Sequence, residues 1–447
     1  MGALAQSFSP KNTYKHLFSR PKKGHHTLDG MRAIGLMWVI LAHVITSAAM
    51  INTTAQGTNT SQLSLLAENT PWFLDWIWNG DLMVDIFFML SGFLISGILF
   101  HEHNRTGNIL IKRFFYRRFM RLMPTYLFVA GLFFIMNAPN KEYLWRNLLY
   151  INNFFSYSEA AIPWSWSLAV EEQFYIIFPI FTLFILTRTQ HTMRWLTLLL
   201  ASSSFIRFAI VMFDDQLYGV QVSNKLIDME FQNHYLDVLY DNLYTRYGAF
   251  ICGIGAQHLY YNHKNATATF LNDSKAGKML LVFSMASLVL LLQFNFLRNS
   301  VVLSDISIVF YHTFTRNIFS LLIAIFLLGM LTNTRSTSLA TKFFSFKIWY
   351  PFAQLTYSAY LIHLPVIIGV LSLFINLCKA WGIECELDNF NLLFLVFLVT
   401  LFFTYLISTF VYFLIERPLM SYRDVKNKEK SKADNKDKSP GLISVAT

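Results

Sequence analysis

Long stretches of apolar residues constrain this chain more than any other feature. A helix needs about 20 apolar residues to cross a bilayer core of about 30 Å. Five stretches approach or exceed that length without Asp, Glu, Lys or Arg, four more carry one or two charges, and one is shorter. The ten predicted spans are Ala33–Met50, Leu82–Phe100, Thr125–Ala138, Leu168–Thr187, Trp195–Phe213, Arg246–Tyr261, Met279–Leu297, Asn317–Leu331, Ile348–Leu377 and Asn389–Ile415. The pattern predicts an all-α polytopic membrane protein, a bundle of about ten transmembrane helices.

The composition excludes several other classes of protein. Of 447 residues, 54% are hydrophobic and 14% are charged, against about 25% charged in soluble globular proteins. So few charges could neither coat a soluble enzyme nor keep a disordered chain in solution. The chain has 11 Pro and 19 Gly, too few for a fibrous repeat, and its three Cys cannot form a disulfide framework.

Basic residues alternate between the segments that connect the predicted spans. Residues 51–80 include no Lys or Arg, residues 101–123 include six, and residues 214–245 include one Lys against six acids. Because cytoplasmic loops are enriched in Lys and Arg, this alternation places both termini in the cytoplasm. We expect a basic N-terminal segment at 1–28, a transmembrane domain at 29–418 and a Lys-rich disordered tail at 419–447. The net charge of +10 lies in such flanks, so the expected partner is the lipid bilayer and not nucleic acid.

The first predicted span contains two ionisable residues, Arg32 and His43. Charges inside a bilayer cost about 3 kcal/mol or more, which makes them candidates for function. Eleven residues bring a helix back to within about 20° of the same face, about 16 Å further along its axis. We therefore expect both side chains to face one cavity, with Asp29 close enough to pair with Arg32. Alone, Arg32 could be a topological anchor and His43 an interhelical hydrogen-bond partner.

Other polar residues of the predicted spans could likewise serve either function or helix packing. Asp85 could orient a cation or an imidazole, whereas Ser91 and its neighbouring glycine could serve helix packing. Glu171 and Glu172 point about 100° apart, so at least one should face the cavity. Trp166 could belong to an aromatic belt. Tyr360 and His363 lie three residues apart and share a helix face.

Arg118 and Arg121 share a helix face in the basic segment before the third predicted span. Two guanidinium groups at a membrane surface suit phosphate groups, although topology or anionic lipid would also explain them. The sequence indicates no metal site.

Six segments, taken in order, resemble the acyltransferase-3 family of multi-pass membrane acyltransferases. They are Leu28-Asp-Gly-Met-Arg-Ala33 continuing to His43, Val84-Asp-Ile-Phe-Phe-Met-Leu-Ser-Gly-Phe-Leu94, Arg117-Arg-Phe-Met-Arg-Leu-Met-Pro124, Trp166-Ser-Leu-Ala-Val-Glu-Glu-Gln-Phe-Tyr175, Tyr357-Ser-Ala-Tyr-Leu-Ile-His363 and Glu416-Arg-Pro418. The resemblance extends from Leu28 to Pro418 and leaves about 187–339 without a matching motif. It implies transfer of an acyl group, usually acetyl, from cytoplasmic acyl-CoA to a hydroxyl of a glycan such as surface polysaccharide or lipopolysaccharide. The membrane implied is the bacterial inner membrane.

Acyl transfer from a thioester to a hydroxyl needs a general base or a nucleophile. The imidazole of His43 could serve in either role. We expect catalytic roles for His43, Arg32, Asp85, Glu171 and Glu172, binding of acyl-CoA by Arg118 and Arg121, and substrate contacts by Asp29, Ser91, Trp166, Tyr360 and His363. A proton-coupled transporter of sugars or lipids would use the same residue types inside its helices. A protein that keeps the fold and only binds lipid or partners is a third interpretation.

Overall fold

The computed structural model describes residues 8–22, 24–56, 61–182, 189–298, 301–382, 387 and 389–423. Within those ranges the chain is helical and has no β-strand. The α-helices in chain order are α1 Pro10–Phe18, α2 His26–Gln56, α3 Ser61–Asn69, α4 Met83–Thr106, α5 Ile111–Ile135, α6 Leu144–Leu148, α7 Trp166–Phe181, α8 Thr192–Phe213, α9 Asn224–Ile227, α10 Met229–Tyr235, α11 Leu243–Asn262, α12 Lys264–Asp273, α13 Lys275–Leu292, α14 Asp305–Leu331, α15 Ser338–Phe344, α16 Trp349–Gln354, α17 Thr356–Ala380 and α18 Phe390–Val411. Single turns join several of them, and a 3₁₀ stretch at Trp72–Leu82 leads into α4.

The all-α polytopic class predicted from the sequence is confirmed. Eight helical segments of the described chain are long and apolar enough to cross a membrane, and they contain helices α2, α4, α5, α8, α13, α14, α17 and α18. The two further predicted spans are helical too. Helix α7 has 16 residues and ends just before residues 183–188, which lie outside the described ranges. Helix α11 includes Arg246, Gln257 and His258, which lower its mean hydropathy.

The structure describes most of the predicted N-terminal segment but little of the predicted C-terminal tail. In the basic N-terminal segment, Leu17 of α1 is fully buried against the bundle. Arg20 donates to the carbonyl oxygen of Ser345 at 2.6 Å, which ties the segment to the residues that follow α15. The predicted Lys-rich tail lies outside the described residues from position 424 onward.

Helices α4 and α11 approach closely because each places a glycine against the backbone of the other. A Cβ atom on Gly253 would lie 1.9 Å from the carbonyl oxygen of Met89, and one on Gly92 would lie 2.2 Å from that of Phe250. No side chain fits at either position, so the two backbones touch, as small residues allow in membrane bundles. The packing interpretation of the Ser91–Gly92 pair therefore holds for Gly92.

Helix α2 packs against α4, α16, α17 and α18. Its apolar residues Leu36, Ile40 and Val44 are fully buried. The polar residues Arg32 and His43 therefore lie between the helices and not on the outer surface of the protein.

Candidate active site

Two cavities adjoin inside the bundle. The first, which we call the arginine cavity, is lined by Arg32, Arg118 and Arg121. The second, which we call the histidine cavity, is lined by His43. Val84 and Tyr360 line both cavities and form the seam between them. Arg32 lines the first cavity and His43 the second, so the two side chains face adjoining cavities.

Three guanidinium groups face the arginine cavity without a carboxylate partner. In the described part of the chain, no Asp or Glu oxygen lies within 4 Å of a guanidinium nitrogen of Arg32, Arg118 or Arg121. The guanidinium of Arg118 lies over the ring of Tyr175, 5.0 Å from its centroid. A cavity with three unpaired cations suits a ligand with several negative charges.

Glu171 holds the wall of this cavity in place. The hydroxyl groups of Ser91 and Tyr175 both donate to its Oε1 atom. These bonds join α4 to α7 and fix the ring on which Arg118 rests. Glu416 also lines the cavity and accepts from Ser358 at 2.5 Å.

His43 and His363 form a hydrogen-bonded pair at the wall of the histidine cavity. The distance between His43 Nδ1 and His363 Nε2 is 3.2 Å. His363 is fully buried, and its Nδ1 atom lies 2.5 Å from the carbonyl oxygen of Tyr360. His43 lines the cavity and His363 lies behind it.

Pro365 explains why the segment behind His43 is fixed. A proline has no N–H group, so the carbonyl four residues earlier loses its helical partner. That carbonyl belongs to Leu361, and the indole Nε1 of Trp164 donates to it at 3.2 Å. In return, the Tyr360 hydroxyl donates to the carbonyl oxygen of Trp164 at 2.6 Å. This reciprocal pair of bonds locks α17 to the turn that precedes α7.

Aromatic and amide side chains line the rest of the histidine cavity. They include Trp78, Trp164, Trp166, Tyr157, Tyr235, Tyr240, Gln232 and Asn233. Two buried polar atoms of the lining residues, Trp78 Nε1 and Asp81 Oδ1, have no hydrogen-bond partner among the described residues. Rings with a few donors and acceptors suit a ligand that has both apolar faces and hydroxyl groups.

Asp85 does not orient His43. It accepts from Arg316 at 2.8 Å and lies 3.4 Å from Arg246, both deep in the bundle. Arg316 also bonds Asp81, at 2.6 Å. Of the two predicted alternatives, a cation or an imidazole, the contacts of Asp85 are with cations, in a buried ion-pair network that joins α4, α11 and α14.

Lys225 extends this network to the loop helix α9. Its ammonium group lies 3.1 Å from Asp81 Oδ2. Burial alone would lower the pKa of Lys225, but the adjacent Asp81 carboxylate gives a net rise. Lys225 therefore stays charged beside the histidine cavity.

Two further predicted residues line neither cavity, Asp29 and Glu172. Asp29 lies 3.7 Å from His26 and not within ion-pair distance of Arg32, because the Arg32 side chain faces the arginine cavity. Trp166 lines the histidine cavity and lies 5.4 Å, ring centroid to guanidinium carbon, from Arg246.

Comparison with known proteins identifies the chain at the family level. The sequence model of a family described as an acyltransferase domain, acyltransferase-3, matches residues 25–412. The chain belongs to the acyltransferase-3 family. That match includes every residue named above as lining either cavity except Glu416.

Curated relatives of this acyltransferase-3 chain include O-acetyltransferase OatA of Staphylococcus aureus strain NCTC 8325 / PS 47 and of strain COL. Each is 30% identical over an alignment that covers 36% of this chain and 25% of the relative. The chain thus spans about a quarter of the length of these relatives. No solved structure matches the chain significantly.

All six acyltransferase-3 segments identified in the sequence contribute to the arginine cavity. In chain order they supply Arg32, Ser91, Arg118 with Arg121, Glu171, Tyr360 and Glu416. Segments that are hundreds of residues apart in the chain converge on one volume, as the residues of an active site do.

Several residues of this site were not predicted from the sequence. Tyr175 is four residues after Glu171, a helical spacing that could have indicated their contact. Ser167, whose hydroxyl lies 2.6 Å from the Tyr360 hydroxyl, gave no such signal. Arg246 and Arg316 were visible as charges in or beside predicted spans, and buried charges of opposite sign pair.

Proposed function

We propose that this acyltransferase-3 protein is a membrane O-acetyltransferase that moves an acetyl group from acetyl-CoA to a hydroxyl group of a glycan. The observation that carries the proposal is the convergence of the six family segments on a cavity with three unpaired arginines, which adjoins a second cavity containing His43. The similarity to the OatA proteins supports the O-acetyl product.

The arginine cavity suits the donor. Coenzyme A carries phosphate groups at one end, and guanidinium groups bind phosphate through paired N–H donors. Arg118 and Arg121 belong to the basic segment 101–123. By the positive-inside rule this mouth faces the cytoplasm, where acetyl-CoA is found. The pantetheine arm would then extend toward the seam at Val84 and Tyr360.

The histidine cavity suits the acceptor. A sugar ring has apolar faces that stack on aromatic rings and hydroxyl groups that bond to amides and carboxylates. The lining amides of Gln232 and Asn233 offer donors and acceptors for such hydroxyl groups.

In the proposed reaction, His43 acts as the general base. Its unprotonated ring nitrogen takes the proton of the acceptor hydroxyl while the hydroxyl oxygen attacks the thioester carbonyl carbon. A C–O bond forms, the C–S bond breaks, and the proton passes from His43 to the departing thiolate. The products are the O-acetylated glycan and coenzyme A with a free thiol.

The test is acetyl transfer by the purified protein in nanodiscs, with acetyl-labelled CoA and a membrane glycolipid extract. Wild type should label a glycan. His43→Ala should lower the rate by about 10²-fold or more, because general-base catalysis contributes that much. His101→Ala serves as the matched control, since His101 is exposed at the end of α4 and lines neither cavity. An unchanged rate in His43→Ala would contradict the role of His43. Absence of transfer, of acetyl-CoA hydrolysis and of CoA binding in wild type would contradict the reaction class.

A further inference from the structure

We propose that His363 is a positioning residue that holds His43 in the tautomer whose Nε2 atom lacks a proton. The inference rests on the proposed function of His43 as the base. It assigns to His363 a role that differs from the substrate contact predicted from the sequence.

A backbone carbonyl fixes the protonation state of His363. The carbonyl oxygen of Tyr360 can only accept a hydrogen bond, and it lies 2.5 Å from His363 Nδ1. His363 Nδ1 must therefore carry a proton. A neutral imidazole has one N–H group, so His363 Nε2 is left as an acceptor.

The protonation state of His43 follows from that of His363. Its Nδ1 atom lies 3.2 Å from His363 Nε2. Since His363 Nε2 accepts, His43 Nδ1 donates in this bond. The backbone of Val39, one helical turn earlier, is a second hydrogen-bond partner of the His43 ring. The remaining nitrogen of a neutral His43, Nε2, then has a free lone pair, and the residue lines the histidine cavity. That is the protonation state required of a base that takes a hydroxyl proton.

The surroundings of His363 keep this assignment fixed. The side chain is fully buried. The ring of Trp164 lies edge-on to the His363 ring at a centroid distance of 6.4 Å, and the bonds around Pro365 immobilise the backbone that supplies the carbonyl. His363 thus occupies the place that a carboxylate takes behind the histidine of a Ser-His-Asp triad, but it is neutral.

The test compares three substitutions in nanodiscs. His363→Phe fills the volume without an acceptor. His363→Gln places an amide oxygen near the position of Nε2 and can still accept from His43. His312→Phe is the matched control, because His312 is also buried, at 1% exposure, lines neither cavity and has no ring hydrogen bond among the described residues.

We expect His363→Phe to lower kcat about 10- to 100-fold with unchanged KM for acetyl-CoA and acceptor, since ground-state binding is not involved. His363→Gln should restore most of the lost kcat, and His312→Phe should retain wild-type kinetics. A rise in KM at constant kcat would overturn the proposal in favour of a substrate contact. So would wild-type kinetics in a folded His363→Phe protein.

A second readout separates this proposal from the proposed function. Nitrogen NMR of ¹⁵N-histidine-labelled protein distinguishes protonated from unprotonated ring nitrogens, and the His43 signals can be assigned by their loss in His43→Asn. Wild type should show Nδ1 protonated, and His363→Phe should show a mixture of tautomers. The same tautomer in both proteins would overturn the role of His363 even if no acetyl transfer were found. A tautomer shift in a protein without transfer activity would overturn only the proposed function.

Discussion

At the scale of single residues, Asp85 and Glu171 show that the sequence can predict a polar environment but not the partner of a carboxylate. Both are carboxylates within apolar stretches, so a polar environment was predictable for each. Asp85 binds Arg316, which lies 231 positions away, and Glu171 binds hydroxyl groups. The identity of such partners depends on which helices are neighbours, and periodicity within one helix carries no such information.

The arginine cavity gives a prediction for Arg118 and Arg121. Replacing either with Gln should raise KM for acetyl-CoA about tenfold, because one charge-assisted interaction with phosphate is lost. The change in kcat should be small, since the reacting carbonyl is distant. Steady-state kinetics at varied acetyl-CoA would measure both constants.

Arg113→Gln is the control for these variants. Arg113 is on the same helix, α5, but is exposed and lines neither cavity. If all three variants had the same KM, the arginines would not bind the donor.

At the scale of helices, the predicted spans were close to the observed ones where apolar residues fill a whole helix. Helices α5 and α14 are exceptions, and α14 begins at Asp305 instead of the predicted Asn317. For α5, the predicted span began after Pro124, whereas the helix begins at Ile111 and continues through that proline. The first half of α5 is basic, so hydropathy could not detect it. This early start places Arg118 and Arg121 on a helix with one face directed at the cavity.

The contact between α4 and α11 gives a second prediction. Gly253→Ala would place a Cβ atom 1.9 Å from the Met89 carbonyl oxygen and force the helices apart. Overpacking of this kind costs about 1–3 kcal/mol. We expect a lower thermal unfolding midpoint in detergent, followed by intrinsic fluorescence.

Gly369→Ala is the matched control, since a Cβ atom there meets nothing within 4 Å. In a helix, replacing Gly by Ala favours the folded state by up to about 1 kcal/mol. A Gly253→Ala protein that melts at or above the wild-type temperature would show that the contact tolerates a methyl group.

At the scale of the whole molecule, family resemblance identified the segments but not their arrangement. The spacing of Arg32 and His43 on α2 predicted that both side chains face the interior, and both line cavities there. The division into two cavities depends on Val84 and Tyr360, which belong to other helices. Only the packing of α4 and α17 against α2 reveals it.

The seam gives a third prediction. Val84 is 8% exposed and lines both cavities. Val84→Phe should obstruct the passage, lowering acetyl transfer about 10- to 100-fold through misplacement of the thioester. Binding of CoA should persist, measured by isothermal titration calorimetry.

Ile98→Phe on the same helix is the control, because Ile98 is 44% exposed on the outside of the bundle. Equal loss of transfer in both variants would indicate a general effect of added bulk on α4. Loss of CoA binding in Val84→Phe would place the donor site at the seam itself.

The seam also determines what leaves one compartment for the other. On the proposed reaction, only two carbons and one oxygen cross between Val84 and Tyr360, and the coenzyme stays on the side from which it came. If the reaction runs as proposed, the acetyl group would cross the bilayer while the coenzyme remains behind. Cleavage of the thioester would then supply the driving force without an ion gradient, and the new ester bond would prevent return of the group.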